Sequence, residues 1–276
     1  MRYLRPIAIL AMLGLAAPAS GDDMANYTAR CADESAEAKQ IVEACSWLFD
    51  SGQLKRHAVA ATYINRGRAY IRLEEFERAR DDLGRAVARN PGLATAFVNR
   101  GIANSNTGRN VLAINDFDKA IGLAPDDPEA FLGRANAFLR QGEIERARRD
   151  YDRVIALKPD YAEAWYGRGV TYLETGEADR ALEDLDRAIE IAPGNAAMYV
   201  DRGRAWLAKG NMEAAMGEFD RAIRRDPNHA NAYAQRARTH ENLKQHAEAL
   251  ADYEKAHELG DTSEAVTAKL KAAGKL

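Results

Sequence analysis

The sequence predicts an all-α protein, a solenoid of stacked helix hairpins, and three observations support this prediction. A pattern of small, aromatic and charged residues returns every 34 residues between residues 60 and 263. Within each period, apolar residues spaced three and four apart indicate two amphipathic helices. Each of the first five periods closes on a proline, which ends a helix: Pro91, Pro125, Pro159, Pro193 and Pro227. A two-helix unit repeated at a fixed interval indicates hairpins that stack on one another.

Composition sets limits on the function. The chain has 276 residues, of which 46% are hydrophobic and 29% charged, as is ordinary for a folded protein. Its formal charge of −3 lacks the basic excess that concentrates nucleic-acid backbones. We therefore expect no nucleic-acid partner.

Residues 1–19 have the features of a signal peptide. Arg2 and Arg5 precede the apolar stretch "IAILAMLGLAA", and Ala17-Pro18-Ala19 supplies small residues for cleavage near Ala19-Ser20. We therefore expect a periplasmic or secreted protein, although retention as an N-terminal anchor stays open. No other run approaches the ~20 apolar residues of a membrane helix, so no integral membrane segment is expected after cleavage.

Residues 20–59 contain the only two cysteines and are predicted to cap the repeats. Because export favours disulfides, we expect Cys31 and Cys45 to be bonded, with two separate buried thiols as the alternative. The bond is expected to tie an irregular lead-in to a helix, with a stabilisation of ~3 kcal/mol. The residues on one face of that helix are Ala38, Ile41, Val42, Cys45, Leu48 and Phe49.

Six copies of the period follow. They span 60–93, 94–127, 128–161, 162–195, 196–229 and 230–263. In the clearest copy, 162–195, Trp165, Gly169 and Tyr172 share one face of a first helix, and Gly176 separates it from a second. Small residues stand where the two helices approach each other, for example Gly169 and Ala181.

This pattern resembles the tetratricopeptide repeat (TPR) family, whose motif is W-x₂-L-G-x₂-Y…A-x₃-F…P. It is also similar to exported bacterial proteins that combine "NRG"-type repeats with a cysteine-bearing lead-in. The resemblance covers residues 60–263 and implies a right-handed superhelix of helix pairs, in which each first helix lines the concave face. Residues 264–276, "EAVTAKLKAAGKL", suit a C-terminal capping helix.

One arginine in each period departs from the family pattern. If each hairpin turns at its fifteenth residue, a residue eight positions before the turn lies level with one eight positions after it. The predicted pairs are Arg66 with Asp82, Arg100 with Asp116, Arg134 with Asp150, Arg168 with Asp184, Arg202 with Glu218 and Arg236 with Asp252. We interpret these pairs as structural; the rival interpretation is a row of arginines that binds an acidic ligand.

A second apolar stripe accompanies the arginines on the first helices. Its members are Ile64, Val98, Leu132, Tyr166, Val200 and Ala234. It either packs against the neighbouring repeat or forms a groove for a protein or peptide. Amide and guanidinium groups beside such a groove can bind the backbone and the carboxylates of a peptide. The candidate groove residues are Asn65, Arg68, Asn99, Asn136, Arg140, Tyr166, Arg204 and Arg238. The lysine and asparagine clamp with which some TPR domains bind a terminal carboxylate is not reproduced.

No residue pattern indicates chemistry. The five histidines have no metal-ligand spacing, and GxSxG, Walker and GxGxxG motifs are missing. We therefore expect no catalytic, cofactor-binding or metal-binding residue. The predicted function is a non-enzymatic scaffold that binds a protein or peptide in its concave groove. The alternative is a self-assembling, homo-oligomeric solenoid.

Overall fold

The computed structural model describes residues 21–276, and the predicted signal peptide and its cleavage site lie outside them. The described residues form fifteen α-helices and no strand, which confirms the all-α prediction. They divide into two compact units, 21–91 and 92–276. None of these helices is both long enough and apolar enough to cross a membrane.

The first unit contains α1 Gly21–Ala32, α2 Ala38–Asp50, α3 Val59–Arg72 and α4 Phe76–Arg89. The second unit contains α5 Ala94–Asn106, α6 Asn110–Leu123, α7 Pro128–Arg140, α8 Ile144–Leu157, α9 Ala162–Glu174, α10 Ala178–Ile191, α11 Ala196–Ala208, α12 Met212–Arg225, α13 Ala230–Asn242, α14 His246–Glu258 and α15 Glu264–Ala272. Each predicted period therefore supplies one hairpin, and α15 lies within the predicted C-terminal cap.

Prolines and glycines define the hairpins. Helix α10 ends at Ile191 because Ala192, which precedes Pro193, leaves the helical region with φ −130° and ψ 72°. The turn inside a hairpin needs a left-handed residue, as at Gly176 with φ 77°. Lys244 takes the same place in the last repeat with φ 62°, so this turn does not require glycine.

The N-terminal segment corrects one prediction. The lead-in expected to be irregular is the helix α1, in which Met24, Tyr27 and Cys31 recur every three or four residues and pack on α2. Tyr27 stacks on Trp47 with ring centroids 4.1 Å apart. Cys31 and Cys45 are joined by a disulfide between α1 and α2, with Cα atoms 5.0 Å apart. Three residues at helical spacing in a segment of twelve were too weak a signal to predict the helix from the sequence.

The second unit is a stack of five hairpins. Successive first helices contact one another, α5 with α7, α7 with α9, α9 with α11, and α11 with α13. No comparable contact joins successive second helices within residues 92–276. The hairpins therefore converge on the side of the first helices, whose outer surface is the concave face of this unit.

The C-terminal helix covers the last hairpin. Val266 and Leu270 of α15 are buried in a cluster with Tyr253 and Ala256 of α14. Without α15 these apolar side chains would face solvent, so it serves as the cap that a repeat stack needs at its end.

Candidate functional site

Each of the six arginines forms an ion pair with the acidic residue sixteen positions later. Arg168 is typical: Nε lies 2.7 Å from Asp184 Oδ2, and Nη2 lies 2.8 Å from Asp184 Oδ1. The side chains of Arg168 and Asp184 are 18% and 6% exposed, so the pair is largely removed from water. The other pairs are Arg66–Asp82, Arg100–Asp116, Arg134–Asp150, Arg202–Glu218 and Arg236–Asp252.

Four of these arginines also contact a second carboxylate, sixteen positions earlier in the sequence, and sequence reasoning missed it. Nη1 of Arg168 donates to Asp152 Oδ1 of the preceding repeat at 2.6 Å. The equivalent contacts are Arg134–Asp118, Arg202–Asp186 and Arg236–Asp220. Extending the spacing of sixteen residues in the other direction along the chain would have found these partners. Each of the four arginines thus links its own hairpin to the previous one.

The guanidinium of Arg168 is fully engaged. Its three nitrogens all donate to carboxylates, and its Cζ lies 5.0 Å from the ring centroid of Trp165. The hydrogen bond to Asp184 raises the pKa of Arg168 above its ordinary value, against the opposing effect of burial, and Asp152 contributes further. Arg134, Arg202 and Arg236 also have all three nitrogens bonded to carboxylates. A guanidinium held in this way is poorly suited to bind a ligand, so the geometry favours the structural interpretation of these four arginines.

The second apolar stripe is mainly packed inside the fold. Ile64, Val98, Val200 and Ala234 are buried, whereas Leu132 and Tyr166 are partly exposed. The contacts between successive first helices account for much of this burial in the second unit. The stripe therefore supplies little of the surface that a partner could reach.

Two predicted groove residues belong to the first unit. Arg68 pairs with Glu34, and Arg72 of the same helix donates to the backbone oxygens of Glu34 and Ala36. Asn65 lines a cavity of about 380 Å³ beside Cys31. Both residues of α3 thus face the N-terminal helices and their connecting turn.

The second unit carries the other six predicted groove residues. Asn99 donates to the carbonyl of Thr95 in its own helix, and Asn136 Oδ1 accepts from the hydroxyl of Tyr151 at 2.6 Å. Arg140 is exposed and donates to Ser105 Oγ of the preceding first helix. Arg238 of α13 is also exposed.

A polar network joins the remaining two, Tyr166 of α9 and Arg204 of α11. The Tyr166 hydroxyl donates to Asp201 Oδ2 at 2.7 Å, and Arg204 Nη1 donates to Asp201 Oδ1 at 2.7 Å. Burial raises the pKa of Tyr166, and the charge and hydrogen bond of Asp201 raise it further. Asp201 was not predicted, because the other repeats carry asparagine, glycine or glutamine at its position.

Arg204 keeps part of its guanidinium available. Its Nη2 is 3.6 Å from Glu174 Oε1, a loose contact, and its side chain is 39% exposed. With Arg140 and Arg238 it places three accessible guanidinium groups on the first helices α7, α11 and α13. Within residues 21–276 no three His, Cys, Asp or Glu side chains are arranged to hold a metal ion.

Comparison with known structures identifies the fold. A tetratricopeptide repeat protein from Parabacteroides merdae is 18% identical, with a TM-score of 0.71, covering 91% of this chain and 98% of that one. The APC/C hetero-tetramer Cut9–Hcn1 gives 17% identity and a TM-score of 0.73; the match covers 91% of this chain but only 52% of that one, about half its length. YrrB, described as a TPR protein with an unusual peptide-binding site, gives 20% identity and a TM-score of 0.52, covering 70% and 98%.

Comparison with curated proteins gives no match. Family models described as tetratricopeptide repeat match residues 64–128, 132–196, 172–240 and 230–259. These matches cover well over half of the chain, and their boundaries fall within the hairpins described above. The chain therefore belongs to the tetratricopeptide repeat family.

Proposed function

We propose that the protein is a non-enzymatic scaffold that binds a protein or peptide segment on the concave face of residues 92–276. The tetratricopeptide fold is typical of scaffolds that bind proteins or peptides. The observation that carries the proposal is the convergence of the first helices α5, α7, α9, α11 and α13 on one side of the stack. A segment lying across them meets side chains from several repeats at once.

The chemistry of this face suits a peptide. Arg140, Arg204 and Arg238 offer guanidinium groups that can bind carboxylates or backbone carbonyls. Between them, the partly buried Leu139, Leu173 and Leu207 offer apolar contact. YrrB, which shares the fold, is described as having a peptide-binding site, and this agrees with the proposal.

A triple variant tests the concave face. We expect Arg140→Gln, Arg204→Gln and Arg238→Gln together to reduce partner capture about tenfold, because three charge-assisted contacts are lost. The melting temperature is expected to fall by several degrees, because Arg204→Gln leaves the buried Asp201 without its counter-charge, whereas the exposed Arg140 and Arg238 contribute little to stability. Captured proteins are quantified by mass spectrometry after incubation with native envelope extract.

The matched control removes the same charge from the second helices. Arg149→Gln, Arg153→Gln and Arg187→Gln lie on α8 and α10, where all three arginines are exposed. The control is expected to capture partners like the unsubstituted protein. If both triple variants lose capture equally, the concave face is not the binding surface.

Self-assembly is the alternative function, and two apolar residues favour it. Val111 and Leu112 of α6 are exposed, at positions where α4, α8 and α10 carry an acidic residue followed by arginine. Self-assembly through the second apolar stripe is less favoured, because four of the six residues of that stripe are buried. Light scattering on the purified protein separates the two functions: a monomer supports the scaffold and a defined oligomer supports self-assembly.

We also propose export to the periplasm or beyond, as for the bacterial "NRG"-type repeat proteins that the sequence resembles. N-terminal sequencing of material from the envelope fraction is expected to begin near Ser20. Thiol titration of the unfolded, unreduced protein is expected to find no free thiol, because Cys31 and Cys45 are bonded in an oxidising compartment. Two titratable thiols would contradict both the disulfide in the living cell and the export that it depends on.

A further inference from the structure

An arginine-lined cleft lies where α10, α11 and α12 meet, apart from the concave-face residues discussed above. Its volume is about 550 Å³, and it is lined by Ile189, Tyr199, Arg202, Arg221, Arg224 and Arg225. Ile189 and Tyr199 are buried and form an apolar floor, whereas Arg224 and Arg225 are exposed in the last turn of α12. Four guanidinium groups therefore line one open cleft, and one of them, that of Arg202, already has all three nitrogens bonded to carboxylates.

The equivalent surface is neutral in the neighbouring repeats. In α10, Arg187 Nη1 pairs with Glu190 Oε2 at 2.8 Å, and in α14, Lys255 Nζ pairs with Glu258 Oε2 at 3.0 Å. The corresponding residues of α12 are Arg221 and Arg224, so a second cation replaces the glutamate. The next position is Ile191 in α10 and Leu259 directly after α14, but Arg225 in α12.

The carboxylates at this cleft do not balance its arginines. Arg202 is held by Asp186 and by Glu218, each within 2.7 Å. Glu218 also accepts from Arg221, which has no glutamate three residues further along its helix. The two carboxylates are thus bonded to Arg202 and Arg221, and neither of them pairs with Arg224 or Arg225. The helix dipole of α12 favours a cation in its last turn. The dipole of α10 does the same, yet α10 has no basic residue in its last turn, so the dipole does not require the two arginines.

We propose that this cleft binds a carboxylate-rich segment of a partner protein. The inference rests on the proposed protein-binding role and adds a second surface with a stated partner chemistry. Arg221 and Arg225 are four residues, or about 6 Å, apart along α12. Carboxylates on alternate residues of an extended peptide are about 7 Å apart, so separate side chains can reach separate arginines. Guanidinium groups bind carboxylates through paired hydrogen bonds, and the apolar floor keeps water from beneath these contacts.

The test measures binding of fluorescein-labelled hexaglutamate to the full chain by fluorescence anisotropy. We expect saturable binding that Arg224→Gln with Arg225→Gln weakens at least about tenfold, with a smaller dependence on salt. The matched control, Arg153→Gln with Arg187→Gln, removes two exposed arginines of α8 and α10 and is expected to bind like the unsubstituted protein. Circular dichroism confirms that both variants are folded.

Two outcomes would overturn the proposal. Equal loss in the test and control variants would mean that hexaglutamate responds only to total charge. Displacement of hexaglutamate by inorganic phosphate at an equal concentration would mean that the cleft is a small-anion site. The triple variant of Arg140, Arg204 and Arg238 is expected to bind hexaglutamate like the unsubstituted protein. Partner capture therefore tests the concave face, and hexaglutamate binding tests the cleft, independently of each other.

Discussion

We expect Arg168→Leu to lower the free energy of unfolding by about 3 kcal/mol, because Asp184 is left buried without its counter-charge. Asp152, the other partner of Arg168, is 52% exposed, so water replaces that contact at little cost. The loss therefore arises mainly from one carboxylate. Chemical unfolding followed by circular dichroism measures it.

The rescue experiment separates a stranded charge from simple loss of packing. Arg168→Leu combined with Asp184→Leu is expected to recover much of the loss, since an apolar pair can replace a buried ion pair at little net cost. The interaction energy between the two sites, obtained from the double-mutant cycle, is the decisive quantity. Additive effects would show that the ion pair is not what Arg168 contributes.

The second large effect is expected at Gly167 of α9, which accommodates a ring from the preceding repeat. A Cβ atom at Gly167 would lie 2.4 Å from Cζ of Tyr151, a fully buried residue of α8. Tyr151 cannot easily yield because its hydroxyl is hydrogen-bonded to Asn136. Gly167→Ala is therefore expected to destabilise by about 1–3 kcal/mol, through overpacking between two hairpins.

Gly217→Ala is the matched control, and its expected effect has the opposite sign. Gly217 lies in the interior of α12, and a Cβ atom there would have no neighbour within 4 Å. Alanine restricts the unfolded chain and favours the helix, so we expect stabilisation by about 0.5–1 kcal/mol. A destabilising Gly217→Ala would mean that the effect at Gly167 reflects helix conformation instead of the contact with Tyr151.

The repeated part of the fold was predictable because every period carries the same signals. Prolines such as Pro193 and turn glycines such as Gly176 mark the ends of helices independently of the rest of the chain. Helix α1 was not predictable, because only Met24, Tyr27 and Cys31 recur at helical spacing in it. Its packing on α2 becomes evident only when both helices are placed together.

The arginine pairs were predicted from hairpin geometry alone, since Arg168 and Asp184 are equidistant from the turn at Gly176. The contact with Asp152 was missed because it depends on how neighbouring hairpins stack, which a single hairpin does not define. The surroundings of the predicted groove residues depend on the same stacking. Tyr166 and Asn136 proved to be bonded within the protein, and Asp201, which holds Tyr166 and Arg204, interrupts the period and so gave no repeating signal.

The central claim is that the ion pairs of the six arginines stabilise the repeats and are not the site at which the partner binds. Capture of partners from envelope extract by the Arg168→Leu, Asp184→Leu protein tests it most directly, because this variant lacks the ion pair yet is expected to be stable. We predict that it captures the same partner as the unsubstituted protein, in similar amount. A stable double variant that captures no partner would contradict the claim and identify the row of arginines as the binding site.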